Sequence, residues 1–297
     1  MTLLRFYAKV ASVLSRVGIG RLPGVRTLYR FLYGKLPRPT GMILLDIQGS
    51  KMYLNSKDKG VDTTLLVHGV YEAFETDLIK RIIGKGMVVV DIGANIGYYT
   101  LIASRLVGNK GRVYAFEPEP SNYQRLCKNI AANRYENVVS VCKAASNING
   151  TAKLYVNPAH TGSSSFAEDH PVHSTEAPQC CLVETITLDS FFEQIGRDIK
   201  VDFIKVDAEG AEGLVWDGAQ KVLGQPHLTM FMEFTPNTQR SMGTDPLGLL
   251  GKITNCGFTI QFINSQRRIL ETITDFESFV QRPEFCVPGS RNLLLMK

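Results

Sequence analysis

The 297 residues, 44% of them apolar, are enough for one substantial core plus appendages, and none of the six cysteines forms a C-x-x-C pair, which points to a reducing, cytoplasmic setting. The formal charge of +5 is unevenly spread: residues 1–40 hold eight Lys and Arg and no Asp or Glu, leaving 25 basic against 28 acidic residues in the rest. The body of the chain is therefore close to neutral, and any acidic partner is expected at the first 40 residues.

In that arm Leu3, Phe6, Tyr7, Val10, Leu14 and Val17 recur at helical spacing, with Arg5, Lys9 and Arg16 on the other side of the wheel. The uncharged run is far shorter than the roughly 20 residues of a membrane span, and the scattered arginines do not suit a signal peptide. The stripe fits an anionic membrane surface and equally fits packing on its own domain. Residues 42–46 and 51–54, around Gly49-Ser50, read as a small hairpin. Gly69 to Glu75 opens an amphipathic helix toward Ile83, in which Glu72 and Glu75 lie one turn apart.

The stretch from Met87 to Tyr99 reads as a buried parallel strand ending at Asp91 and turning through Gly93, Asn95 and Gly97 into a helix that starts at Tyr98. The glycines admit a close backbone approach, and the helix start offers free N–H groups. The next strand, 112–116, ends at Glu117 in Phe-Glu-Pro-Glu-Pro, and an acid there suits ribose hydroxyls. A dinucleotide fold is the competing reading, but Asn95 stands where its fingerprint needs a second glycine.

Residues 121–133 follow as a helix and 138–142 as a third strand leading to Ala144 and Ala145. Residues 152–156 and 182–187 read as hairpin arms around a long polar segment, 157–179, either a disordered tip or a lid. His160, His170, His173, Cys180 and Cys181 match no zinc spacing, so no metal is expected. A fourth strand, 201–206, runs into Asp207, followed by one helix through Glu212, Trp216 and Val222. A fifth, 228–234, carries Glu233, and 259–263 and 292–296 complete seven strands. Asp91, Glu117, Ala145, Asp207 and Glu233 then fall at the carboxyl ends of the strands. Four acids without an arginine disfavour a triphosphate and suit a sulfonium cofactor.

Asp-Ile-Gly-Ala-Asn-Ile-Gly-Tyr-Tyr-Thr (91–100), Phe-Glu-Pro (116–118) and Ile-Lys-Val-Asp-Ala-Glu-Gly-Ala-Glu (204–212) resemble the FkbM-type S-adenosylmethionine-dependent methyltransferases, over about Tyr71 to Glu233. The resemblance implies a seven-stranded Rossmann-like α/β methyltransferase sheet with helices on both faces over residues 41–297, beside the basic helical arm 1–40. It implies S-adenosylmethionine held by Glu72, Asp91, Gly93, Asn95, Gly97, Tyr98, Glu117, Pro118, Ala145 and Asp207. Asp207 is the first candidate for the base that deprotonates a hydroxyl acceptor, with Glu209 and Glu233 second. The bland alternatives are that Asp207 only binds the cofactor and that Glu209 and Glu212 only cap a helix. Relatives of this type imply a glycan, glycolipid or secondary-metabolite acceptor. An RNA methyltransferase using the basic arm, which is not favoured, and a non-catalytic nucleoside-binding relic are the other two readings.

Overall fold

A computed structural model describes residues 41–58, 60–156, 165–166, 179–196, 199–286 and 291–297. The basic arm, the three upstream histidines and nearly all of the 157–179 segment lie outside the described residues. The chain divides into two compact units, with the boundary between Tyr71 and Glu72.

In the first unit β1 (Met42–Ile47) pairs antiparallel with β2 (Ser50–Asn55), the hairpin that the sequence predicts, with the turn at Gln48 and Gly49 rather than Gly49 and Ser50. A helix that the sequence reading lacks, α1 (Val61–His68), follows. Fully buried Asp62 ties it to the hairpin, accepting from the Asn55 N–H at 3.0 Å.

The second unit is an α/β domain around a mixed eight-stranded sheet, ordered β12-β11-β13-β10-β9-β3-β4-β5. Its parallel half comprises β10 (Thr229–Glu233), β9 (Phe203–Val206), β3 (Val88–Ile92), β4 (Arg112–Phe116) and β5 (Val138–Val141). The other half is antiparallel: β13 (Asn292–Met296) lies between β10 and β11 (Thr259–Asn264), and β12 (Ile269–Thr272) pairs with β11. The expectation of seven strands is corrected to eight. The added strand is half-exposed and alternates too weakly for its four residues to stand out in the sequence.

The connecting helices are α2 (Ala73–Ile82), α3 (Tyr98–Val107), α4 (Pro120–Asn133) and α5 (Leu188–Ile195), then α6 (Glu212–Asp217), α7 (Gln220–Leu223), α8 (Pro236–Ser241), α9 (Pro246–Asn255) and α10 (Phe276–Val280). The single helix expected through Glu212, Trp216 and Val222 is broken into α6 and α7 at Gly218. There a β-carbon would collide with the Ser146 carbonyl oxygen. Ala144–Ala145 (β6), Gly150–Val156 (β7) and Gln179–Ile186 (β8) form a separate three-stranded sheet. The expected hairpin arms are thus present, and β6 joins β8 rather than the main sheet.

The central strands are buried over almost their whole length, which is why they read as continuous apolar runs. Their side chains form one core with Trp216, Phe234, Leu249 and Phe279. Phe191 and Phe192 meet Tyr114 edge-on at 5.6 and 5.3 Å, fixing α5 on the sheet. This packing holds the carboxyl ends of β3, β9 and β10 rigidly side by side.

Candidate active site

The site is built where β3, β4, β9 and β10 end. In the β3–α3 turn Gly93 (φ +73), Asn95 (φ +50) and Gly97 (φ +94) all adopt left-handed backbone. A β-carbon at 93 would collide with the Asp207 carbonyl oxygen, and one at 97 would lie 2.7 Å from Leu126 Cδ1. Gly93 is therefore required by the packing of backbone on backbone, and Gly97 chiefly by its left-handed conformation, since the Leu126 methyl could shift. Beneath the turn Glu117 is 4% exposed. One of its oxygens accepts from the Asn95 N–H at 2.7 Å, and the other from the Glu119 N–H at 3.0 Å, so this acid shapes the turn. Burial pushes its carboxyl up to about 8. Next to it, Pro118 leads to α4, whose start is capped by Glu119.

The electrostatic centre is Lys205, on β9 and opposite Asp91 of β3 in the sheet. Its ammonium, only 8% exposed as a side chain, lies 2.8 Å from Asp207 Oδ2 and 4.9 Å above the Tyr99 ring. Burial alone would lower its pKa, but Asp207, Asp91 and Glu72 outweigh that and raise it. Around it stand carboxylates that burial raises. Asp91 is raised, although the Thr100 hydroxyl donates to its Oδ2 at 2.5 Å. Glu72 is pushed up to about 7 by burial and by Asp207, and it accepts from the Tyr99 hydroxyl at 2.8 Å and from Asn292 Nδ2 at 3.5 Å. Glu233 is held well above the usual carboxylate range by burial, with Asp207, Glu209, Glu212 and Glu72 adding repulsion. Asp91 Oδ1 and Glu233 Oε2 are buried with no hydrogen-bond partner among the described residues. Such atoms are costly unless water or a ligand satisfies them.

The loop after β9 is locked from beneath. Fully buried Glu212 accepts through Oε1 from the N–H groups of Ala208 and Gly210, at 3.0 and 3.1 Å, and through Oε2 from Gln239 at 3.2 Å. Glu212 is thus a structural acid. Glu209, held between those two N–H groups, has φ +49, and its carbonyl accepts from the Ser165 hydroxyl at 2.9 Å. Of the seven non-glycine residues at positive φ among the described residues, three, Glu72, Asn95 and Glu209, belong to this site. Backbone strain of that kind concentrates at working positions.

The structure thus brings Glu72, Asp91, Asp207, Glu209 and Glu233 into one electrostatic group with Lys205. Tyr98 begins α3 and meets Tyr99 edge-on at 5.0 Å, and its hydroxyl lies 3.1 Å from that of Thr76. Ala145 is buried in β6 within the main core. Lys205, Tyr99 and Asn292 were not singled out by sequence reasoning. Lys205 lies inside the third motif, where the signal was present but read as strand. No group of three or more possible metal ligands is found among the described residues. A separate cleft of about 550 Å³ between α5 and α7, lined by Phe192, Ile199 and Val222, lies near the opposite strand ends and has no part in this cluster.

Over 152 residues the chain is 27% identical to the hexuronic acid methyltransferase AglP of Haloferax volcanii, covering 50% of this chain and 58% of that protein. A 54-residue stretch is 43% identical to a tRNA(Phe) (4-demethylwyosine(37)-C(7)) aminocarboxypropyltransferase of Methanocaldococcus jannaschii, covering 18% of this chain and 21% of that one. Both matches therefore span less than two thirds of the relative. A solved methyltransferase FkbM from Methylobacillus flagellatus superposes with a TM-score of 0.42 at 18% identity, over 71% of this chain and 43% of its own. The Methyltransferase FkbM domain profile matches residues 91–260, from the acid near the end of β3 to the second residue of β11, and the chain belongs to that family.

Proposed function

We propose that the protein transfers a methyl group from S-adenosylmethionine to a hydroxyl oxygen of a glycan, glycolipid or secondary-metabolite acceptor. The observation that carries this reading is the carboxylate group around Lys205, with the unsatisfied buried oxygens of Asp91 and Glu233. A cofactor bearing an ammonium and a sulfonium fits that donor set, and a polyphosphate does not. The cofactor is S-adenosylmethionine, which supplies an electrophilic methyl group attached to a positively charged sulfur. Glu72, Asp91 and Asp207 would hold its cationic end. The turn at 93–97 with Tyr98, and Glu117, Pro118 and Ala145, would hold the nucleoside. Glu117, raised to about 8, keeps acceptor capacity on one oxygen and, when protonated, a proton to donate from the other, either of which suits a ribose hydroxyl.

The chain's own part in the reaction is positioning and proton removal. Asp207 Oδ2 is committed to Lys205 at 2.8 Å, and this makes Asp207 a better cation holder than base. Burial and the neighbouring acids raise the Glu233 carboxyl, which favours its protonated form and makes it less available as a base. Glu209 is left to take the acceptor's proton. With its methyl group offered to the acceptor oxygen, the bound cofactor would supply the electrophile, and Glu209 would take the hydroxyl proton.

The hexuronic acid methyltransferase relative supports a sugar acceptor. The basic arm supports presentation of that acceptor at an anionic membrane surface, with the protein peripheral on the cytoplasmic side. Calorimetric titration with S-adenosylmethionine, followed by methyl transfer to a panel of uronic-acid and neutral glycosides, tests the reading. Tight binding with transfer to a sugar hydroxyl is expected. Absent cofactor binding overturns it, as does transfer confined to RNA. Vesicle cosedimentation with and without residues 1–40 tests the arm, and equal behaviour removes that part.

A further inference from the structure

Glu72 forms the N-cap of α2 with a left-handed backbone, φ +43, so whatever fixes the first turn of α2 also fixes that carboxylate. The turn between β11 and β12 does this from about 190 residues further along the chain. The Ser265 hydroxyl donates to Oε1 of Glu75, a carboxylate only 4% exposed. Arg268 pairs with Asp77 at 2.8 Å and lies 5.3 Å over the Phe74 ring. Three residues of the start of α2 are thereby gripped by one turn. A single exposed ion pair would contribute little, but a buried carboxylate that has lost its water depends on its one donor.

The gripping turn is itself stiff. Asn264 Oδ1 accepts from the Arg267 N–H at 3.0 Å, Asn264 Nδ2 donates to Glu271 at 2.6 Å, and Arg282 donates to Glu271 at 3.0 Å. Arg268 has φ +56, a conformation in which glycine or asparagine is unstrained. A long cationic side chain is retained there at a backbone cost.

We propose that Ser265 and Arg268 are positioning residues for the cofactor site: the β11–β12 turn clamps the first turn of α2 and holds Glu72 against Tyr99 and Asn292. This rests on Glu72 being a cofactor-binding residue. It also gives the eighth strand a purpose, since β12 closes the hairpin that carries the clamp.

The test is calorimetric titration of the full chain with S-adenosylhomocysteine, for wild type, Glu72→Ala, the double variant Ser265→Ala/Arg268→Ala, the triple variant, and the conservative pair Ser265→Thr/Arg268→Lys. The double variant is expected to bind about tenfold more weakly, within the range that residues coupled to a site at a distance produce. The conservative pair keeps a hydroxyl and a positive charge but not the guanidinium stacked on Phe74, so it is expected to bind between the double variant and wild type. In the Glu72→Ala background the double variant adds no further loss, because the clamp acts through that carboxylate. If Glu72→Ala weakens binding while the double variant binds as wild type, or if the two losses multiply, the clamp is overturned and the role of Glu72 stands. If Glu72→Ala binds as wild type, both fall. Should the double variant fail to fold, Ser265→Ala/Arg268→Gly replaces it. That pair deletes both contacts while relieving the backbone at 268, so weaker binding with a melting temperature above that of the alanine pair is expected, and unchanged binding overturns the proposal.

Discussion

Replacing Lys205 by Met removes the one ammonium about which the carboxylates are arranged, while keeping much of the volume. A unit pair separated by about 4 Å at an effective dielectric near 20 is worth about 4 kcal/mol, and breaking a buried pair from one side costs about 3–5 kcal/mol. Lys205 is 8% exposed and its partner Asp207 29%, so solvent screens part of this. A loss of about 3 kcal/mol at pH 8 follows. For a unit of this size that corresponds to a fall in melting temperature of about 6–12 °C. The lysine's folded-state pKa is raised, so its own contribution is fully present below the unfolded value and is lost only in strong alkali. Between pH 5.5 and 8 the variation comes instead from the acids. Without Lys205 they take up protons more readily, and the penalty should shrink toward pH 5.5. Thermal denaturation of Lys205→Met at both pH values is the assay. Lys252→Met serves as the control, because its pair with Asp217 at 2.7 Å is about half exposed at both ends and should cost under about 1 kcal/mol. If Lys205→Met melts within about 2 °C of wild type at pH 8, the lysine does not hold the site together.

Glu72 and Glu117, raised to about 7 and about 8, favour the folded state while protonated. Their contribution is present below about pH 4.5 and is lost as pH rises through those values, so chemical denaturation should show stability falling from pH 5.5 to 8.5. Glu72→Gln should make that fall shallower. Gly93→Ala must both adopt φ +73 and displace the Asp207 carbonyl, at a cost of about 2–5 kcal/mol, seen as insolubility or a large drop in melting temperature. Glu212→Gln should cost under about 1 kcal/mol, because Gln239 can turn its otherwise unpartnered Oε1 toward the new amide. Glu212→Ala, which leaves the N–H groups of Ala208 and Gly210 unpaired, should cost about 3 kcal/mol, and urea titration of the two variants separates these outcomes.

The parallel strands were legible because burial on both sides demands unbroken apolar runs, and the acids at their ends were legible because such runs stop abruptly. The convergence of Asp91, Asp207 and Glu233 followed from strand order alone. What escaped depends on contacts distant in sequence. Nothing local marks Lys205 as the common neighbour of acids from three different segments. Gly93 reads as an opening for a ligand until the Asp207 carbonyl is seen filling the space. The four-residue strand β12 has no pattern of its own and exists through its pairing with β11. In α1 the apolar and polar residues do not segregate to one side, so a helical period was never visible. Gly218 interrupts a convincing helix only because Ser146 passes close by.

Strand β13 lies between β10 and β11, both of which precede it in sequence. On a translating ribosome those two strands emerge first and wait with bare edges for the segment that will separate them. A nascent chain at that stage is open to pairing with a neighbour or with itself in the wrong register. Asn292, which reaches Glu72, arrives with the late strand, so that hydrogen bond forms only when 292–296 docks. Recombinant yield should accordingly respond more to slower synthesis or added chaperones than the stability of the finished molecule would indicate.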